Sequence, residues 1–300
     1  MTGPASLPRL RAGAADVHPA PEQPRRAWVE QVMGMPVSFH VRGPLVRETD
    51  GGSPDPTGTG PVADAVRRAI ADLHRTDAIF STYRAGSQIS RLRRGELDPV
   101  GCDPWVREVI DLCARARERT EGWFDADLPD RSDPADPADP AGPRRFDPTG
   151  LVKGWAVERV TRDLSAALAD HDVLVNAGGD IGVRCRRTDT PDWVLGIEDP
   201  ADRSRLLATV PLRTGGMATS GTAARGAHIV DPRSGAVVDR VGSVTVIGPD
   251  LMWADVHATA AFAMGDAAPG YLARLAGHLS FVVHPDGTTA TIPGPPPTHP

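Results

Sequence analysis

Lys153 is the only lysine in the chain, and every other basic side chain apart from histidine is arginine. A sequence so biased toward arginine keeps a lysine where a compact ammonium does what a planar guanidinium cannot. Asp147-Pro148-Thr149-Gly150 reads as a helix start, and Val152, Ala156, Val160, Leu164 and Ala167 continue it as an apolar stripe. That spacing predicts Lys153 in a first helical turn, where unbonded N–H groups and the positive end of the helix dipole favour an anion. A phosphate-bearing ligand is the expectation. Further on, LMWADVHATAAFAMG predicts an Ala-rich apolar helix with Asp255 and Thr259 four residues apart on one face. A carboxylate and a hydroxyl in such surroundings are costly to bury unless something satisfies them. Mg²⁺ takes hard oxygen donors, so it would suit both groups, with a main-chain carbonyl near Gly150 as a third ligand. The same spacing occurs in helices that bind no metal, and the spacing alone leaves both readings open.

Other residues carry weaker signals. His228 precedes Ile229-Val230 and the turn Asp231-Pro232-Arg233-Ser234-Gly235, which has proline at its second position. Tyr83 stands in a loop-like stretch, FSTYRAGSQISRL, where an aromatic suits stacking on a flat ligand as well as covering a core edge. The Asn176–Asp180 turn is rich in glycine and leaves backbone amides to meet a ligand. Cys102, Cys113 and Cys185 are odd in number and lack paired metal spacing, so neither a disulfide framework nor zinc is indicated. Cys113 falls on an apolar helix face and reads as core.

The elements that must position these groups are largely punctuated. Trp28 to Arg42 predicts a half-open strand interrupted at Met33-Gly34-Met35, where the glycine marks a bulge in preference to a close backbone approach to a ligand. Residues 61–80 predict a helix with a stripe at Val62, Val66, Ala69, Ile70, Leu73 and Phe80. A second helix has Asp103 as its N-cap, Pro104 at its first position and Gly122 just past its end. Residues 127–145 contain a Pro/Asp repeat and are expected to form a mobile loop. The second half predicts mostly strands: 173–175, 181–183, WVLGIED, RLLATVPL and SVTVIG. GGMATSGTAARGAHIVDPRSG is expected to be a functional loop.

Three hundred residues suit one large domain or two intimately packed ones, and a single domain is expected over 27–290, with mobile ends at 1–26 and 291–300. The net charge of −6 comes without a basic tract, which argues against nucleic acid. No apolar run reaches 18 residues and the start lacks a secretory pattern, so no membrane insertion and a cytoplasmic location are expected.

Taken in order, the segments resemble the FAD:protein FMN transferases, the ApbE family. The resemblance is carried by Met33-Gly34, FSTYR (80–84), GWFD (122–125), DPTGLVKGWA (147–156), VNAGGD (175–180), ATSG (218–221), HIVDPRSG (228–235), SVTV (243–246) and ADVHATAAFAMG (254–265). It implies an α+β fold, T-fold-like, of mixed β-sheets with packed helices. It also implies Mg²⁺ dependence, FAD as substrate, and a Ser or Thr hydroxyl of an acceptor flavoprotein as target. By the resemblance, Met33, Tyr83, Trp123, Phe124, Asp125, Asp147, Lys153 and Ile229 look like FAD contacts. The Gly150 carbonyl, Asp255 and Thr259 look like the metal site, and His228 lies near the reacting phosphates, where a base role is inferred. Two departures stand out: Asp125 runs into Ala126-Asp127-Leu128-Pro129 and the Pro/Asp repeat, and the lipoprotein signal of many members is missing. Competing readings are an FAD pyrophosphatase giving FMN and AMP, and an FAD-binding protein without turnover.

Overall fold

The structure is a computed structural model that describes residues 8, 10–12, 25–44, 60–129, 144–222, 229–238 and 242–297. In chain order the strands are β1 (Arg11–Ala12), β2 (Arg25–Val32), β3 (Met35–Arg42), β4 (Asp127–Pro129), β5 (Arg144–Phe146), β6 (Asp172–Ala177), β7 (Asp180–Arg184), β8 (Trp193–Glu198), β9 (Leu206–Leu212), β10 (Thr214–Gly221), β11 (Ser243–Gly248), β12 (Leu279–Val283) and β13 (Thr289–Pro293). The α-helices are α1 (Pro61–Phe80), α2 (Gln88–Arg93), α3 (Pro104–Arg119), α4 (Thr149–Ala167), α5 (Leu251–Met264) and α6 (Ala268–Leu272).

Eight strands form the main sheet in the order β13-β12-β11-β10-β7-β6-β3-β2, and β1-β9-β8 form a smaller one. The α+β architecture is the one expected. Its sheets, expected to be mixed, pair antiparallel throughout among the described residues. The alternation of side chains along each strand sets the layers. Val173, Val175, Ala177, Ala218, Val244 and Val246 join the core under the helices. Leu174, Val183, Met217, Ile247, Leu279 and Phe281 face the other way, onto Trp193, Leu195, Ile197 and Val210 of the small sheet. The main sheet is therefore covered on both faces, which is why β6, β11 and β12 read as near-continuous buried runs.

Five expectations need correction. Trp28–Arg42 is not one bulged strand but the β2–β3 hairpin, because Met33 (φ 57°) and Gly34 (φ 74°) both adopt the left-handed conformation of a tight two-residue turn. The expected functional loop begins as β10, an inner strand of the main sheet. Its small residues fit there because α5 packs so close that a Cβ on Gly216 would lie 2.5 Å from the Leu251 backbone. The FSTYRAGSQISRL stretch contains α2, whose first turn is capped by Ser87 accepting from the Ser90 N–H at 3.0 Å. The two ends of the Pro/Asp segment pair as β4 and β5, and residues 130–143 lie outside the described residues. The stretches assigned to mobile ends contribute β1, the start of β2 and the end of β13, where Leu279 pairs with Pro293.

Candidate active site

α4 starts as its sequence dictates. The Asp147 carboxylate accepts from the Thr149 N–H at 3.1 Å and from the Thr149 hydroxyl at 2.6 Å. Arg93 holds the other carboxylate oxygen at 2.9 Å. Part of the anion-binding capacity of this helix start is thus met by Asp147 itself. Lys153 is the fifth helical residue, one turn further in than the sequence suggested. Its ammonium turns toward the sheet, 2.5 Å from the Asp180 carboxylate and 3.8 Å from that of Asp255.

Asp180 opens β7, which lies along α4. Thr161 of α4 sits against Gly182, and the Arg184 guanidinium donates to Glu158. Glu158 also accepts from the Leu251 N–H at 3.0 Å, so one buried carboxylate ties α4, β7 and the start of α5 together. Burial pushes the Glu158 carboxyl above its ordinary range, and the neighbouring Arg184 opposes that.

α5 is apolar on nearly all sides and every residue except Trp253 and Thr259 is buried, as expected for a helix enclosed between α4 and the sheet. Asp255, 3 % exposed, and Thr259 project from it to one side, and the Thr259 hydroxyl lies 3.1 Å from that of Ser220 on β10. The two helices approach each other at Gly154, where a Cβ would lie 2.9 Å from Asp255 Cβ and Oδ2. That close approach brings Lys153 within reach of Asp255.

These groups line a cavity of about 250 Å³. Of the residues picked out in the sequence, it collects Trp123, Phe124, Asp125, Asp147, Gly150, Lys153, Ile229, Asp255 and Thr259. Trp123 lies under the Arg233 guanidinium at 3.9 Å, and Arg117 pairs with Asp125 at 3.2 Å. Met33 and Tyr83 are not among the lining residues. Met33 packs against the core at the same sheet end as the Gly178-Gly179 turn, and Tyr83 is 98 % exposed. His228 lies outside the described residues. Residues the sequence reading gave no side-chain role also belong here: Thr219 and Ser220 in the lining, and Asp180 against Lys153. The sequence reading ended the Gly-rich turn at Asp180, whereas the structure makes it the first residue of β7.

The ApbE family model matches residues 33–130 and 137–283. The chain belongs to the ApbE family. An FAD:protein FMN transferase of Vibrio cholerae is 31 % identical over 239 residues, covering 65 % of this chain and 71 % of that protein. One of Salmonella typhimurium is 28 % identical over 273 residues, covering 75 % and 78 %. The match to a Haemophilus influenzae relative of the same name is shorter, spanning 40 % of this chain and 38 % of that protein at 29 % identity. Among solved structures, the Pseudomonas stutzeri flavinyl transferase ApbE superposes with a TM-score of 0.70 at 21 % identity, covering 90 % of this chain and 96 % of that one. The ApbE protein of Thermotoga maritima gives 0.69 at 20 %, covering 89 % and 97 %. Those two likenesses establish the ApbE fold. Among the described residues, no helix is long and apolar enough to cross a membrane.

Proposed function

We propose that this ApbE-family chain transfers FMN from FAD to a Ser or Thr hydroxyl of an acceptor flavoprotein, with Mg²⁺ as cofactor and AMP as the leaving product. The observation that carries the reading is the convergence of α4 and α5, which puts Lys153, Asp255 and Thr259 on the same cavity as the aromatic Trp123–Phe124 segment. A dinucleotide with a flat ring at one end and a pyrophosphate in the middle needs both kinds of surface.

The donor set fits Mg²⁺. Asp255 supplies a buried carboxylate, Thr259 a half-buried hydroxyl, and Gly150 lines the same wall with its main chain. Among the described residues no group of three or more His, Cys, Asp or Glu forms a metal cluster, so the reading assigns the ion to this mixed oxygen set. When bound, the ion would stabilise charge on the pyrophosphate oxygens as a Lewis acid. The chain's own residues do the rest. Asp147, Asp125 and Ile229 bound the FAD site, and Trp123 and Phe124 form its apolar wall. Lys153 offsets negative charge as the bond between FMN and AMP breaks. The acceptor hydroxyl attacks the FMN phosphorus in line, and positioning with charge stabilisation dominates such transfers. His228 is assigned as the base that takes its proton, because an imidazole titrates near neutral pH.

Incubation with FAD, Mg²⁺ and a candidate acceptor, followed by mass spectrometry of the acceptor and assay of AMP, tests the proposal. An FMN-sized mass increase with acceptor-dependent AMP is expected. Acceptor-independent AMP would make the chain a pyrophosphatase, and no AMP under any condition would leave a binding protein.

A further inference from the structure

Thr259 departs from the pattern of the buried threonines on α1, α3 and α4. Thr76 and Thr161 each donate to the carbonyl four residues back, at 2.9 and 2.6 Å, and so does Thr120 at the end of α3, at 2.8 Å. A threonine satisfies its hydroxyl that way without leaving its own helix. Among the described residues Thr259 makes no such bond; its hydroxyl crosses to β10 and meets the Ser220 hydroxyl at 3.1 Å. Ser220 is 6 % exposed and pairs with Val244 in the β10–β11 ladder, so its place is set by the sheet and not by α5. Both hydroxyls line the cavity. A hydroxyl that ligates a cation gives a lone pair to the ion and must direct its proton elsewhere. Either oxygen can donate in this pair; donation from Thr259 to Ser220 turns the proton toward the strand and leaves both Thr259 lone pairs to an ion.

We propose that Ser220 is a positioning residue that accepts a hydrogen bond from the Thr259 hydroxyl and so holds its oxygen toward the metal. This rests on the assignment of Thr259 as a metal ligand. Ser220 acts through Thr259 and is not itself a ligand. Without it, the hydroxyl would turn to the carbonyl four residues back, as on the other helices, and leave the ion.

The test uses the whole chain and Mn²⁺ alone as probe, with free Mn²⁺ followed by electron paramagnetic resonance, so that the readout is binding and not turnover. Ser220→Ala is expected to raise the Mn²⁺ dissociation constant about tenfold, the size of effect seen when a group that orients a metal ligand is lost. A rise smaller than about threefold overturns the proposal. In a Thr259→Val background the same substitution is expected to change the constant by less than about threefold, because the hydroxyl it acts through is already gone. A larger further loss overturns the proposal, by making Ser220 a ligand in its own right or a support of the whole site. If Thr259→Val binds too weakly for that comparison, the Thr259 side-chain rotamer in the wild type and in Ser220→Ala is read from the scalar couplings of its isotope-labelled methyl group. A changed rotamer is expected, and an unchanged one overturns the proposal. If Ser220→Ala does not fold, Ser220→Cys takes its place, since a thiol keeps the side chain's shape and accepts hydrogen bonds only weakly. Thr259→Val alone separates the two levels of inference. Wild-type Mn²⁺ affinity in that variant, or no binding by the wild type, removes the ligand assignment and this proposal with it. Failure of the Ser220 arm while Thr259→Val weakens binding removes the proposal alone.

Discussion

Asp255 and Thr259 occupy one side of a largely apolar helix, and their removal is expected to separate binding from chemistry. Asp255→Asn is expected to lower both FMN transfer and AMP release by orders of magnitude, while FAD affinity measured by flavin fluorescence falls less, since Trp123, Phe124 and Asp147 remain. Thr259→Val keeps volume and charge. Its defect should be relieved in part by excess Mg²⁺, and full activity at limiting Mg²⁺ would remove the hydroxyl from the ligand set. FAD should bind more tightly than FMN or riboflavin, because the charged groups address the pyrophosphate; equal affinities measured by calorimetry would contradict that. Asp255, Thr259 and Lys153 were legible in the sequence because helical spacing alone puts the first two side by side and composition isolates the third. Asp180 was not assigned, because its partner lies 27 residues away on another element and only the packing of β7 along α4 brings them together. The same limit applied to Lys153. Its position near a helix start was read correctly to within one turn, but the direction of its side chain depends on a strand that local spacing cannot see.

At the scale of elements, helices with caps and strands with turn residues were readable, and three arrangements were not. The Met33-Gly34 turn was hidden because a non-glycine residue with positive φ is uncommon, so one alternating stretch looked like one strand. β10 was mistaken for a loop because its Gly and Ala content reflects a helix pressed onto it, which no local propensity encodes. The contact between α4 and α5 depends likewise on Gly154. Gly154→Ala would gain up to about 1 kcal/mol of helix propensity, yet its methyl would meet Asp255 at 2.9 Å and the Met252 backbone at 3.2 Å. Overpacking of that kind costs about 1–3 kcal/mol. Net destabilisation in urea unfolding is therefore expected, together with a loss of transfer activity larger than the loss of stability would explain. A more stable and fully active alanine variant would show that the helices have room to separate.

The whole molecule stores a buried basic cluster behind α5, away from the cavity lining. His257 Nδ1 lies 2.6 Å from the Tyr271 hydroxyl, with the His278 ring 5.3 Å away. Burial, followed by the neighbouring His278 and Arg119 charges, brings the His257 pKa down to about 3. The ordinary value for an unfolded histidine is about 6.5, so between these values the unfolded chain binds the extra proton. Stability from this group is complete above about pH 6.5 and falls as pH drops, by up to about 1.4 kcal/mol per pH unit, until about pH 3. Urea midpoints measured from pH 7 to pH 4 should show that decline. His257→Phe should flatten it even if it lowers stability at pH 7, and an unchanged slope would assign the decline to other groups.

The β2–β3 hairpin joins the main sheet through β6, where Phe39 pairs with Val175. A ribosome must therefore add well over a hundred residues between the hairpin and the strand that completes it, on the order of ten seconds of synthesis at typical rates. During that interval one ladder edge of β3 has no native neighbour, and Val37, Phe39 and Val41, fully enclosed in the finished protein, have no complete core. Folding of this chain is thus held back by loop closure over a long span, the regime of slow, high-contact-order domains. The interval before β6 emerges is when the nascent chain most needs protection from strand-to-strand association with its own copies.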